Sequence, residues 1–332
     1  MLRSPRVPAS QVLDRVLVLE MVRVTEAAAV AASQWIGRGD NDAADAAAVE
    51  AMREALNELP FDGTVVIGEG ERDEAPMLYI GEKVGSAQGS GPKINIALDP
   101  LEGTTLTAKA GPNALCVLTI SEEGGLLNAP DTYMDKLAIG PGYPEGTIDL
   151  SRSVTDNIRA IAEAKGVAAN EIIACVLDRD RHEAIIEELR GLGCGVKLIT
   201  DGDVAGVIAV TDPDTGVDVY MGSGGAPEGV LAASALRCVG GQMQGRLVFR
   251  NDDEIARARR WGIEDLDRIY NLEEMAKSDC IFAATGVTDG SLLKGVHRGR
   301  NCLTTESIVM RASTGTIRRV STEYRDLKHR GL

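Results

Sequence analysis

From Val154 to Val239 the chain alternates between segments of helical length and short apolar segments of strand length, and this restricts the fold more than any other feature. Val154–Lys165 reads as a helix and Ile172–Leu177 as a strand. The pattern repeats as helix His182–Leu192, strand Val196–Ile199, helix Val204–Val210, strand Val217–Met221 and helix Gly229–Val239. A sheet layered with helices buries both kinds of segment, so the expected class is α/β. Upstream, Val12–Ile36 and Asn41–Leu59 read as amphipathic helices, with Asn41 or Asp42 as the cap of the second. Thr64–Ile67, Ile94–Leu98 and Ala114–Ile120 are apolar strands, and Ile281–Ala284, Ser307–Met310 and Ile317–Val320 are further strands near the C-terminus.

At roughly 100–200 residues per domain, 332 residues suggest two halves, divided here as 1–150 and 151–332. No segment approaches the about 20 apolar residues of a membrane span, and Val12–Val24 is broken by Asp14, Arg15, Glu20 and Arg23. The net charge of −15 disfavours nucleic acid and anionic membranes as partners. Six cysteines show no C-x-x-C spacing and mostly lie in apolar runs, which reads as reduced core thiols and points to the cytoplasm. His182, His297 and His329 fit no metal spacing and read as structural or surface residues.

Apolar strands run directly into glycine and acid. Ile67 is followed by Gly68-Glu69-Gly70, Leu98 by Asp99-Pro100-Leu101-Glu102-Gly103-Thr104, and Met221 by Gly222-Ser223-Gly224-Gly225-Ala226-Pro227-Glu228. Ligand groups in α/β folds often lie just past the C-terminal ends of strands. Carboxylate oxygens beside glycines suit hard cations, with magnesium and manganese the candidates that keep room for water and phosphate. Each acid alone has a plainer reading: a solvated loop residue, a turn starting at Asp99-Pro100, or a Glu228 that complements a helix N-terminus.

The strings together carry more. Asp99-Pro100-Leu101-Glu102-Gly103-Thr104 matches the D-P-x-[DE]-G-T signature of the lithium-sensitive, metal-dependent phosphatase superfamily. Ile67-Gly68-Glu69-Gly70-Glu71-Arg72-Asp73-Glu74-Ala75-Pro76-Met77-Leu78-Tyr79 and Gly224-Gly225-Ala226-Pro227-Glu228-Gly229 narrow this, and from about Val18 to Tyr324 the chain resembles class II fructose-1,6-bisphosphatase. The resemblance implies a layered αβαβα sandwich of the sugar/inositol phosphatase type. It implies hydrolysis of the 1-phosphate of fructose 1,6-bisphosphate, in gluconeogenesis or the reductive pentose phosphate cycle, with Mn2+ or Mg2+ as cofactor. Such enzymes are cytoplasmic homo-oligomers, dimers or tetramers, whose partner is the small sugar bisphosphate.

By the same resemblance, Asp45 and Glu69 would hold one metal, and Asp99, Glu102 and Glu228 would hold or share a second. Asp73 and Thr104 would position or polarise the attacking water. A hydroxyl suits that task, since it can donate to a carboxylate and accept from water; its plainer reading is a helix cap. Glu102, Gly103, Thr104, Tyr133 and Gly225 would contact the substrate. Arg179 and Arg181, after strand Ile172–Leu177, would grip the distal phosphate; as an isolated pair they read as solvated surface. Asp201, Gly202 and Asp203 would read sugar hydroxyls, or cap the helix that follows.

The chain departs from the family at one place. Where relatives commonly have R-G-D-K before the first metal-binding aspartate, this chain has Arg38-Gly39-Asp40-Asn41. Sedoheptulose 1,7-bisphosphate and inositol or nucleotide phosphates are alternative substrates within the superfamily, with Arg179/Arg181 and Asp201/Asp203 favouring a sugar bisphosphate. A sugar-phosphate sensor without turnover would be expected to lose a metal ligand or Thr104, and none is lost. A dinucleotide-binding fold would need G-x-G-x-x-G after its first strand, and no such string stands there.

Overall fold

Val154–Lys165 is a helix to the residue, because both of its ends are sealed. Ser153 Oγ accepts from the Asp156 amide, and Gly166 closes the C-terminus in the left-handed region, φ 76°. The computed structural model describes residues 10–13, 15–70 and 76–325. Residues 125–278 form one compact unit, and the described residues 10–124 and 279–325 form the other. The stretch 151–332 therefore contributes to both units: its C-terminal strands join the sheet built by the first 124 residues.

Among the described residues, that first unit carries an eight-stranded sheet. Its strands are β1 (Asp62–Ile67), β2 (Lys83–Val84), β3 (Lys93–Glu102), β4 (Leu115–Glu122), β11 (Cys280–Gly286), β12 (His297–Arg298), β13 (Cys302–Arg311) and β14 (Thr316–Arg325). The order runs β12-β13-β11-β4-β3-β1-β2, with β14 paired along β13. Helices α1 (Leu17–Ser33) and α2 (Asn41–Asn57) cover one face, meeting Ile94, Ile96, Leu98, Leu118 and Ile120 in a core. Asp40 caps α2, its Oδ1 accepting from the Ala43 amide, so the cap falls one residue before the expected Asn41. The short helix α3 (Thr104–Ala108) follows β3.

The second unit carries a six-stranded sheet in the order β10-β9-β5-β8-β6-β7. These are β5 (Tyr133–Ile139), β6 (Ile173–Leu177), β7 (Gly195–Ile199), β8 (Val219–Gly225), β9 (Gln242–Val248) and β10 (Ile269–Asn271). Its helices are α4 (Val154–Lys165), α5 (Glu183–Gly191), α6 (Asp203–Ile208), α7 (Ala226–Val239), α8 (Asp252–Arg260) and α9 (Leu272–Met275). Leu137, Ile139, Val219 and Met221 share a core with Ile158, Ile161 and Leu189 of α4 and α5. The alternate side chains Met134, Lys136 and Tyr220 lie against Gly229 of α7 and Gly206 of α6. Period-2 alternation thus places helices on both faces of this sheet. One helix layer on one sheet, and two on the other, supply the five layers of the αβαβα class.

Candidate active site

A β-bulge organises the acids of the eight-stranded unit. Asp99 of β3 is opposite Val117 of β4, but Glu102 is opposite Leu115, so one extra residue is accommodated at Pro100-Leu101. That explains a proline inside an internal strand. It also changes where the acids point. Three residues apart on a regular strand, Asp99 and Glu102 would project to opposite faces; with the bulge they meet Val117 and Leu115, which share a face. That face is opposite α1 and α2, because Leu98 and Leu118 point into the helix-covered core. The turn expected at Asp99-Pro100 is therefore part of the strand, and Asp99 Oδ1 accepts from the Leu101 amide at 3.1 Å.

The neighbouring strand β1 runs parallel to β3, its last residue Ile67 beside Ala97, and Glu69 stands two residues past that end. Its backbone is fixed: the Glu69 amide donates to Leu78 O at 3.1 Å, and a Cβ on Gly68 would lie 2.0 Å from that oxygen. Only glycine fits there. Asp73 lies outside the described residues. Asp45 lies on α2, which packs on β3 and α3. Burial pushes its carboxyl above the ordinary range, and Asp42 adds to this. Burial also pushes the Cys116 thiol well up, helped by Asp99 and then Asp45, which places both carboxylates near one buried sulfur.

Gly103, in the left-handed region at φ 88°, opens α3, and Thr104 is its first residue. No side chain caps α3, so the Thr104 hydroxyl is not used as a cap. Asn41 is exposed and donates to Thr105 Oγ1 at 3.4 Å.

In the six-stranded unit a second constellation forms at the end of β8. Tyr133 of β5 is the register partner of Gly225. The Arg181 guanidinium stacks over the Tyr133 ring, 4.9 Å from its centroid, and donates to Ser223 O at 2.7 and 3.0 Å. Arg250 stacks on the same ring at 4.5 Å and pairs with Glu254. Arg179 is exposed and bonds to Asp178 O, apart from this group. Asp201 accepts from the Gly202 amide at 3.1 Å. Neither Asp201 nor Asp203 caps α6; Gly202, at φ 81°, occupies that position. Asp203 instead turns inward and pairs with the fully buried Lys136.

Glu228, in the first turn of α7, folds its carboxylate back over Gly225, and a Cβ on Gly225 would lie 1.8 Å from its Oε2. That oxygen is buried and has no hydrogen-bond partner among the described residues. Burial, then Asp203, holds this carboxyl above its usual range, while Lys136 pulls it down. A buried carboxylate oxygen lacking a protein donor suits a bound cation, so the donor chemistry fits a divalent metal here. Among the described residues no group of three or more His, Cys, Asp and Glu is already gathered as a metal cage.

His182 is structural, as expected. It is buried, and its ring bridges Leu177 O at 2.8 Å and the Ser223 amide at 2.7 Å. His297 is exposed and meets Asp289. Sequence reasoning missed Lys136 and Arg250. Arg250 stands in a polar turn with no signal. Lys136 stands beside Asp135 in Tyr-Met-Asp-Lys-Leu-Ala-Ile, where the two charges conceal a central strand. The cysteines are free thiols, five buried and Cys302 half-buried. Among the described residues no helix is long and apolar enough to cross a membrane.

Residues 15–324 match the family described as bacterial fructose-1,6-bisphosphatase, glpX-encoded. The chain is 49% identical over 331 residues to fructose-1,6-bisphosphatase 1 class 2 of Escherichia coli K12, covering 95% of this chain and 97% of the relative. The class 2 enzyme of Shigella flexneri is similar to the same degree. Among solved structures, the suhB extragenic suppressor protein of Bartonella henselae matches 60% of this chain and 74% of its own, at 14% identity and TM-score 0.33. The inositol monophosphatase of Anabaena matches 59% and 72%, at 17% and 0.30. These structural likenesses are too slight to argue from.

Proposed function

The chain belongs to the class II fructose-1,6-bisphosphatase family, metal-dependent phosphatases that hydrolyse fructose 1,6-bisphosphate, and from that premise we propose how its residues divide the work. Asp45, Glu69, Asp99 and Glu102 of the eight-stranded unit serve as oxygen ligands for divalent cations, Mn2+ or Mg2+. Glu228 of the six-stranded unit supplies a further ligand. The observation that carries this reading is the bulge at Pro100-Leu101, which turns two carboxylates to one face of a strand end. When bound, such cations neutralise phosphoryl charge and make water a better nucleophile.

The protein's own groups orient the reaction. Thr104, spared from capping α3, offers a hydroxyl that accepts from the attacking water and donates to a carboxylate. Asp73 shares that task. Gly103 and the α3 amides lie beside it. Arg181 is already preset by Ser223 O and the Tyr133 ring, so its cation meets the distal phosphate with little ordering cost. Arg179, with Asp201, Gly202, Asp203 and Gly225, completes the contacts to the sugar phosphate. The chain acts in the cytoplasm, as free thiols suit, and as a dimer or tetramer.

Phosphate release from a panel of sugar mono- and bisphosphates, with magnesium, with manganese and with excess chelator, tests the proposal. Turnover should require metal and favour the 1-phosphate of fructose 1,6-bisphosphate. Full activity of metal-stripped protein in chelator would reject the ligand roles.

A further inference from the structure

Lys136 is the least expected charge in the molecule. Its side chain is fully buried in the middle of β5, where the chain otherwise places Met134 and Ala138 on the same face. An ammonium removed from water is unfavourable unless it is paired, and a buried pair is seldom the most stable filling for a core. The local sequence is arranged around this one. Its register partners on both neighbouring strands are glycines, Gly222 on β8 and Gly245 on β9. Cross-strand neighbours ordinarily stabilise a sheet through their side chains. A Cβ on Gly224 would lie 2.1 Å from Asp203 Oδ2 and 3.3 Å from Lys136 Nζ, and one on Gly229 would lie 3.2 Å from Lys136 Cε. Gly224 and Gly229 leave the room that Lys136 and Asp203 fill, and Gly225 leaves that of the Glu228 carboxylate; Gly222 and Gly245 face His182 and the sulfurs of Met134 and Met275.

The two carboxylates are not equivalent. Asp203 is bonded to Lys136 through Oδ2, whereas Glu228 Oε2 has no protein donor among the described residues. We propose that Lys136 is a positioning residue of the hydrolytic site, holding Asp203 away from the cation position at Glu228 and in place for the substrate's hydroxyls. The inference rests on the reading of Glu228 as a cation ligand. Without the ammonium, Asp203 becomes a second buried anion beside Glu228, and a divalent cation draws it in as a ligand. The cation is then bound more tightly, but the carboxylate is lost to the sugar.

The experiment is steady-state hydrolysis of fructose 1,6-bisphosphate by the full chain across a manganese titration. The variants are Lys136→Met, Asp203→Asn, the double variant and Glu228→Gln, with thermal unfolding followed for each. Lys136→Met should raise KM about tenfold, as expected for loss of a charge-assisted contact. It should also move half-activation to a lower manganese concentration, whereas a merely structural defect would move it higher. Adding Asp203→Asn should return half-activation to the wild-type value while KM stays raised. If Lys136→Met fails to fold, the double variant, which carries no buried charge pair, decides. A double variant with wild-type KM overturns the inference, as does a folded Lys136→Met with unaltered KM and metal response. Glu228→Gln separates the two levels. An unchanged metal response there sinks the ligand reading itself, whereas a changed one with a silent Lys136→Met sinks only the role of Lys136.

Discussion

The two units prepare their candidate residues in opposite ways. In the eight-stranded unit these residues are carboxylates and a hydroxyl, and the bulge turns Asp99 and Glu102 to one face of β3. In the six-stranded unit they are of both signs, and several are held by a named protein partner. Asp203 is held by Lys136, and Arg181 by Ser223 O and the Tyr133 ring. Burial raises the Asp45 carboxyl, with Asp42 adding to it, and raises the Cys116 thiol, with Asp99 and then Asp45 adding to it. On the proposed reading a cation completes the first set. The second is preorganised by the fold and should persist without ligand. The eight-stranded unit's acids thus suit chemistry, in which charge must be neutralised, and Arg181 and Asp203 suit recognition, in which geometry must be kept, with Glu228 the six-stranded unit's share in the first task.

The strongest test of this contrast is Asp99→Asn. The amide keeps the size of the side chain and can still accept from the Leu101 amide, but loses a ligand charge. Turnover should fall by about a hundredfold or more, while the metal-free protein should unfold at no lower temperature, since like charge is removed. Calorimetry of the metal-free variant beside its kinetics checks both halves. A clear loss of metal-free stability would mean that Asp99 is built into the fold as the second unit's charges are.

A smaller effect, inside the six-stranded unit, comes from its glycines. Gly225 has φ −60°, open to any residue, so Gly225→Ala introduces no backbone strain. The new Cβ would collide with the Glu228 carboxylate, which must move. Metal half-activation should rise about tenfold with little change in unfolding temperature, the size seen when a ligand loses its support. Gly224→Ala should instead press on Asp203 Oδ2 and raise KM. Identical kinetic profiles for the two alanines would break the assignment of Glu228 to metal and Asp203 to sugar.

Much of this was legible in the sequence, for a physical reason. β1 ends at Ile67, where its apolar run meets glycine and acid, and helix α4 carries its start and stop signals, Ser153 and Gly166, whereas β3 and β8 run on to Glu102 and Gly225. What escaped was set by non-local pairing. β5 reads Tyr-Met-Asp-Lys-Leu-Ala-Ile, with charges that conceal a central strand until its glycine-bearing neighbours are known. β13 and β14 are ten residues each because they pair with one another, not because their apolar runs are long. The bulge was hidden by Pro100, which locally signals a turn. The discontinuous unit, closed by strands that lie about 150 residues downstream of β4, has no local signature at all.

The subtlest expected effect concerns pH and the rigidity of the six-stranded unit. Leu177 O can only accept and the Ser223 amide can only donate, so His182 carries its proton on Nδ1 and accepts on Nε2. The ring must be neutral for both bonds to stand. Burial lowers its pKa most; the Leu177 bond opposes this, the Arg181 cation adds to it, and the Ser223 bond and Asp135 oppose it more weakly, the net direction being down. Because the folded value lies below the ordinary value of about 6.5, the unfolded chain binds the proton more readily. The contribution of His182 to stability is therefore complete above about pH 6.5 and is lost as pH falls through the interval down to the folded value. For one proton the slope cannot exceed about 1.4 kcal/mol per pH unit. Unfolding of the wild type and His182→Gln from pH 8 to pH 5 isolates it, since other titrating groups largely cancel in the difference. The wild type's advantage should shrink towards pH 5, as should the hold on Ser223, to which Arg181 is anchored. A difference that stays flat would mean that His182 binds its proton equally well folded and unfolded, and that the recognition unit is less rigidly preset than its hydrogen bonds imply.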